Sequence, residues 1–186
     1  MKKFKLIILA GIILSILVVS KYAVGDIEHI KVSNKMYEYL QQKDNRISVY
    51  NEAIVLNNNS SANTCVYFIS EALRKIDISV PRETANTEQL LGILKEKGWK
   101  RDYDYTKLSP GDIVFTTDEF GNKKGIPSHT YVFMKWKEDG NYEEAYICDN
   151  QAKDYENKIY HIRNIKDIGK VKGISKDAFS FFMRPR

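Results

Sequence analysis

The chain is predicted to adopt an α+β fold, with helices in its first half and an antiparallel β-sheet in its second. Two observations carry this. Apolar residues recur at three- and four-residue steps up to Gly98, the period of core-facing helices. Beyond Gly98 the apolar residues come in short β-branched or aromatic runs separated by turn residues, with no helical pattern between them, so an alternating, parallel α/β arrangement is excluded. A length of 186 residues with 43% hydrophobic content is enough for one compact domain and short for two.

In chain order, the first element is a leader. Met1-Lys2-Lys3-Phe4-Lys5 precedes an apolar run from Leu6 to Val19, roughly 14 residues, shorter than the ~20 of a full membrane span. Ala23-Val24-Gly25 places small residues for signal-peptidase cleavage before Asp26. Tyr22-Ala23-Val24 can equally extend the run into an uncleaved membrane anchor with its basic end inside. Residues 1–25 are therefore read as a signal peptide or N-terminal anchor, and the chain as exported to the cell envelope, either secreted or held on the outer face of the cytoplasmic membrane.

Residues 26–58 place Met36, Tyr37, Leu40, Ile47, Tyr50 and Ile54 at spacings that suit short helices, a helical extension or spacer. Asn57-Asn58-Asn59-Ser60-Ser61 is a loop by composition. The main domain is expected over 59–186. From about Asn63 to Ile76 the stripe Val66, Ile69, Leu73 and Ile76 predicts a helix facing the core, with Asn63 as its N-cap. Pro81 breaks the chain, Thr87 caps a second helix running from Glu88 to Lys97, and Gly98 ends it. Strands are expected at 113–115, 131–134, 145–148, 159–162 and 179–182, with turns at Gly121-Asn122, Asp139-Gly140-Asn141 and Gly169.

The formal charge is +5. Lys2, Lys3, Lys5 and Lys21 lie in the leader with no acidic residue, leaving 25 basic against 24 acidic residues in the remainder. The excess belongs to the leader, and nucleic acid is not an expected partner. Neither Cys nor His occurs in paired ligand spacings, so no metal and no cofactor is expected.

Cys65 is the candidate nucleophile. In the first turn of a helix it stands near unsatisfied backbone N–H groups, which stabilise a thiolate and can hold an oxyanion, with Asn63 beside them. His129 follows the flexible loop 121–128 and opens a strand, where a base must stand to meet both thiol and substrate. His29 reads as surface, and His161 as a residue on the solvent face of its strand. A third group has to hold the imidazole. A turn at Asp139-Gly140 brings the end of the next strand, Cys148-Asp149-Asn150-Gln151, back to His129. Either Asp149 or Asn150 then serves, since strand parity allows only one of them to point at the histidine. With export, a Cys65–Cys148 disulfide is the competing use of the two cysteines.

These residues carry a resemblance. Asn63-Thr64-Cys65 at a helix start, Leu108-Ser109-Pro110-Gly111-Asp112-Ile113-Val114-Phe115 and the His129 strand resemble the NlpC-type cell-wall cysteine peptidases and their CHAP amidase relatives, of the papain-like fold group. The resemblance spans about residues 59–151. The chain departs from the NlpC pattern in having Val66 and Tyr67 after the cysteine and Thr130 after the histidine; an aromatic following the cysteine is nearer the CHAP version. The resemblance implies a papain-like domain whose N-terminal helices carry the cysteine and pack on an antiparallel sheet. It implies a hydrolase that cleaves amide bonds of peptidoglycan or peptide substrates, as endopeptidase or amidase. A papain-like acyltransferase, a protein peptidase and an inactive surface-binding module are the alternatives.

Overall fold

The computed structural model describes residues 30–185; the leader expected over 1–25 lies outside them. The fold is α+β. Four helices come first: α1 (30–41), α2 (Lys43–Leu56), α3 (Cys65–Lys75) and α4 (Thr87–Glu96). Eight strands follow: β1 (Lys100–Asp102), β2 (Ile113–Thr116), β3 (Thr130–Glu138), β4 (Asn141–Cys148), β5 (Tyr160–Asn164), β6 (Gly169–Val171), β7 (Ile174–Lys176) and β8 (Phe179–Arg184). Six of them form one sheet in the order β1-β8-β2-β3-β4-β5, every neighbouring pair antiparallel, and β6–β7 is a separate hairpin. No helix among the described residues is long and apolar enough to cross a membrane.

Alternation along the strands divides the apolar residues between two cores. Ile113, Phe115, Val132, Met134, Cys148, Phe181 and Met183 face the helices and meet Val66, Phe68, Ile69, Ala72 and Leu73 of α3. Val114, Tyr131, Phe133, Ala145, Ile147, Phe179 and Phe182 form the second core on the opposite face. β2 is buried on both sides, which is why it reads as an unbroken apolar run. The α1–α2 pair belongs to the helix-side core: Met36, Leu40, Val49 and Ala53 are all at most 1% exposed. Residues expected as an extension or spacer thus pack into the same body as the strands.

The Pro110-Gly111-Asp112 turn fastens α1 to the sheet. Gly111 has φ +91°, and a Cβ there would stand 1.9 Å from the Ser33 carbonyl oxygen, so only glycine lets the turn meet the helix backbone. Asp112 accepts hydrogen bonds from the Ser33 hydroxyl (3.2 Å), the Ser109 N–H (2.9 Å) and the Arg184 guanidinium of β8 (2.7 Å). One carboxylate therefore ties a helix, a turn and a strand.

β1 and the β6–β7 hairpin have no counterpart in the sequence reading. β1 is Lys-Arg-Asp, with two of its three residues exposed, and β6 and β7 are three residues each; none carries an apolar alternation to find.

Candidate active site

Eight residues, 57–64, turn the chain from α2 into α3. Asn58, Asn59 and Asn63 adopt left-handed backbone conformations, with φ of 53°, 61° and 55°, which asparagine tolerates better than most residues. The Asn57 side-chain amide donates to the carbonyls of Ser60 (3.1 Å) and Ala62 (2.6 Å), closing the loop. Because Asn63 takes the left-handed turn, the helix starts one residue later than expected. Thr64 is the N-cap and Cys65 the first helical residue. Asn63 is exposed in the bend and is not the cap. Thr64 makes no side-chain capping bond; its hydroxyl donates to Ser61 O (3.0 Å) instead. The N–H groups of the first turn of α3 therefore carry no side-chain cap.

His129 immediately precedes β3, and the end of β2 pins its backbone. Its N–H donates to Thr116 Oγ1 (3.1 Å) and its carbonyl accepts from Thr116 N–H (3.1 Å). The register Val132↔Cys148, continued outward, puts Asp149 on the same face as His129, as a diagonal neighbour across the β3–β4 pair. His129 Nε2 lies 2.8 Å from Asp149 Oδ2. The Cys65 side chain stands within interaction range of the same imidazole, whose Nε2 is engaged by Asp149. Cys65 is 9%, His129 6% and Asp149 0% exposed, so the three are recessed from bulk water.

Burial works against a charge on His129, but Asp149 and Cys65 outweigh it and raise its proton affinity above the ordinary histidine value. Burial likewise opposes the charge on Asp149. His161, the His129 hydrogen bond and the Gln151 N–H overcome that and hold the carboxyl down to about 2. The pair is an ionised carboxylate beside an imidazole that takes up a proton readily.

Asn150, the other candidate partner of His129, points the opposite way. Its side-chain amide donates to Thr64 Oγ1 (3.0 Å), across 86 residues of sequence. Parity divides the work of two adjacent residues: Asp149 holds the histidine, and Asn150 holds the residue before the cysteine. Cys65 and Cys148 are both free and buried, with no disulfide between them. Burial pushes the Cys148 thiol far above the ordinary range, which keeps it protonated and unreactive.

His161, expected on the solvent face of its strand, is 4% exposed. The 3-10 turn Ala152–Tyr155 covers that face of β5, and the Tyr155 ring stacks on the imidazole at 3.6 Å and 15°. His161 Nε2 lies 3.8 Å from Asp149 Oδ1. The alternation of His161 and Arg163, both buried, with half-buried Tyr160 and Ile162 inverts the usual inside-outside pattern, so polarity pointed to the wrong face. Thr64 carries no comparable signal in the sequence, because its neighbour Asn63 is the stronger capping residue by type. His29 lies outside the described residues. Among the described residues no group of three or more His, Cys, Asp or Glu side chains is placed to hold a metal ion.

No protein family, curated protein or solved structure matches this chain.

Proposed function

We propose that this protein is an exported cysteine hydrolase of papain-like design, akin to the NlpC and CHAP enzymes, that cleaves amide bonds in peptidoglycan peptides as an endopeptidase or amidase. The observation that carries the reading is the buried His129 between Cys65 and Asp149, bonded at 2.8 Å to the carboxylate. A thiol at a helix start, an imidazole and an orienting carboxylate are the working parts of acyl transfer through a covalent intermediate. The peptidoglycan assignment rests on the sequence resemblance and on the leader, which also makes the membrane a partner where the leader is retained.

In this mechanism the Cys65 proton passes to His129 and the sulfur attacks the substrate carbonyl. Asp149 holds Nε2 and stabilises the imidazolium that forms. The oxyanion lies at the N–H groups that open α3, where the helix dipole favours negative charge. His129 then returns its proton to the leaving amine as the C–N bond breaks, leaving a thioester on Cys65. Water, deprotonated by His129, releases the acid and restores the thiol.

The test is cleavage of purified muropeptides by the wild type, Cys65→Ala and His129→Ala, with products read by mass spectrometry. Loss of cleavage in both variants, with unchanged circular dichroism, is expected. Cleavage at the wild-type rate in either variant would end the catalytic reading, and a new amide or ester bond in the products would make the enzyme a transferase.

A further inference from the structure

We propose that His161 is a positioning residue of this site: it shares the Asp149 carboxylate with His129, leaving it to His129 while neutral and drawing on it when protonated. The inference rests on the reading of Cys65, His129 and Asp149 as the catalytic set.

The geometry on both sides of the ring supports it. His161 Nδ1 lies 3.0 Å from the Lys158 carbonyl oxygen. A carbonyl only accepts, so Nδ1 carries the hydrogen and the neutral ring keeps its lone pair on Nε2. That nitrogen is buried with no hydrogen-bond partner and faces Asp149 Oδ1 at 3.8 Å. The neutral ring therefore makes no bond to Asp149. A proton added at Nε2 would point at Oδ1 and create an ion pair. Oδ2 accepts from His129, and Oδ1 already accepts from the Gln151 N–H at 2.8 Å. One negative charge thus faces two imidazoles, and an imidazolium on either side weakens the hold of the carboxylate on the other.

The surroundings decide which imidazole is charged first. His161 meets desolvation, the Arg163 guanidinium two residues along β5 and the charge of His129; these outweigh Asp149 and the Lys158 carbonyl, and its proton affinity falls below that of an ordinary histidine. His129 lies on the other side of that value. Near neutrality, then, His129 has the carboxylate to itself, and His161 draws on it only in acid. Tyr155, stacked on the ring, keeps Nε2 aimed at Asp149. His161 also lines a cavity of about 470 Å³, where the other charged groups are Asp154, Glu156, Lys158 and Lys172.

The experiment follows the ring nitrogens by ¹⁵N NMR in full-length Cys65→Ala protein, with and without His161→Gln, and the pH–rate profile of His161→Gln in the Cys65 background. His129 is expected to show two inflections in the presence of His161 and one in its absence. The acid limb of log kcat/KM is expected to become shallower, from a slope approaching about 2 to about 1, as one of two interacting protonations is removed. In Asp149→Asn the His161 titration should move further to acid, because the attracting charge is gone; this and His161→Asn keep the test open if His161→Gln does not fold. A single His129 inflection with His161 present, or a His161 titration that ignores Asp149→Asn, overturns the proposal. Coupled titrations in a protein without hydrolytic activity would instead sink the functional reading and leave the shared carboxylate standing.

Discussion

Gly111→Ala measures how firmly α1 is seated on the sheet. The substitution forces alanine into a left-handed backbone at φ +91°, and sets its Cβ 1.9 Å from Ser33 O, 2.7 Å from Ser33 C and 3.0 Å from Ser33 Cα. The backbone term costs about 1–2 kcal/mol. Ordinary contact begins at 3.4 Å, so α1 has to withdraw by about 1.5 Å. That movement loosens Met36 and Leu40, which are 1% and 0% exposed, and stretches the Ser33–Asp112 hydrogen bond from 3.2 Å. Overpacking of this kind costs about 1–3 kcal/mol, for a total of about 2–5 kcal/mol. Gly98→Ala is the control: φ is +83° there too, with nothing within 4 Å of the added carbon, so only the backbone term applies. Urea unfolding of both variants at matched m-values should place Gly111→Ala about 1–3 kcal/mol below Gly98→Ala. If the two fall within about 0.5 kcal/mol of each other, the turn does not bear on α1 and the steric argument fails.

The Asn150–Thr64 bond should behave as a coupled pair. A double-mutant cycle with Asn150→Ala and Thr64→Val is expected to give a coupling of about 0.5–3 kcal/mol in stability, and kcat should fall in each single variant as the start of α3 loosens; additive effects would show that the bond does not hold the helix. The pH dependence of the urea midpoint should show opposite signs for Asp149 and His129. Asp149 is held down to about 2 from an ordinary 3.8, so its contribution is fully present above 3.8 and is lost as pH falls through about 2. His129 is raised, so its contribution is fully present below 6.5 and disappears as pH rises through the folded value. Asp149→Asn should flatten both limbs, and limbs that persist in that variant would exclude the pair as their source.

Much of the fold was legible because its signals are local. The apolar stripe of α3, the break at Pro81 and the five principal strands follow from spacing and turn residues, and Asp139-Gly140 does form the hairpin turn, with Gly140 at φ 78°. The cysteine, the histidine and the Asp149-Asn150 pair were recognisable as candidates by type and by position at element ends. The choice within that pair was not, because a register shift of one residue exchanges their directions and nothing near 149 fixes the register. His161 was misplaced for a related reason: alternation shows that a strand has two faces, but not that a 3-10 turn and a tyrosine ring cover the polar one.

By itself, then, the sequence determined the α+β class, the order of helices before strands and the few thiol, imidazole and carboxylate groups that stand at element ends. These depend on periodicity and residue type, which act over a few neighbours. Tertiary structure alone decided that Asp149 meets His129 while Asn150 reaches Thr64, that α1 and α2 belong to the core, and that His161 stands behind the carboxylate. Those contacts join residues 12 to 86 positions apart. Their partners are chosen by sheet register and by what packs on each face, and no local pattern encodes either.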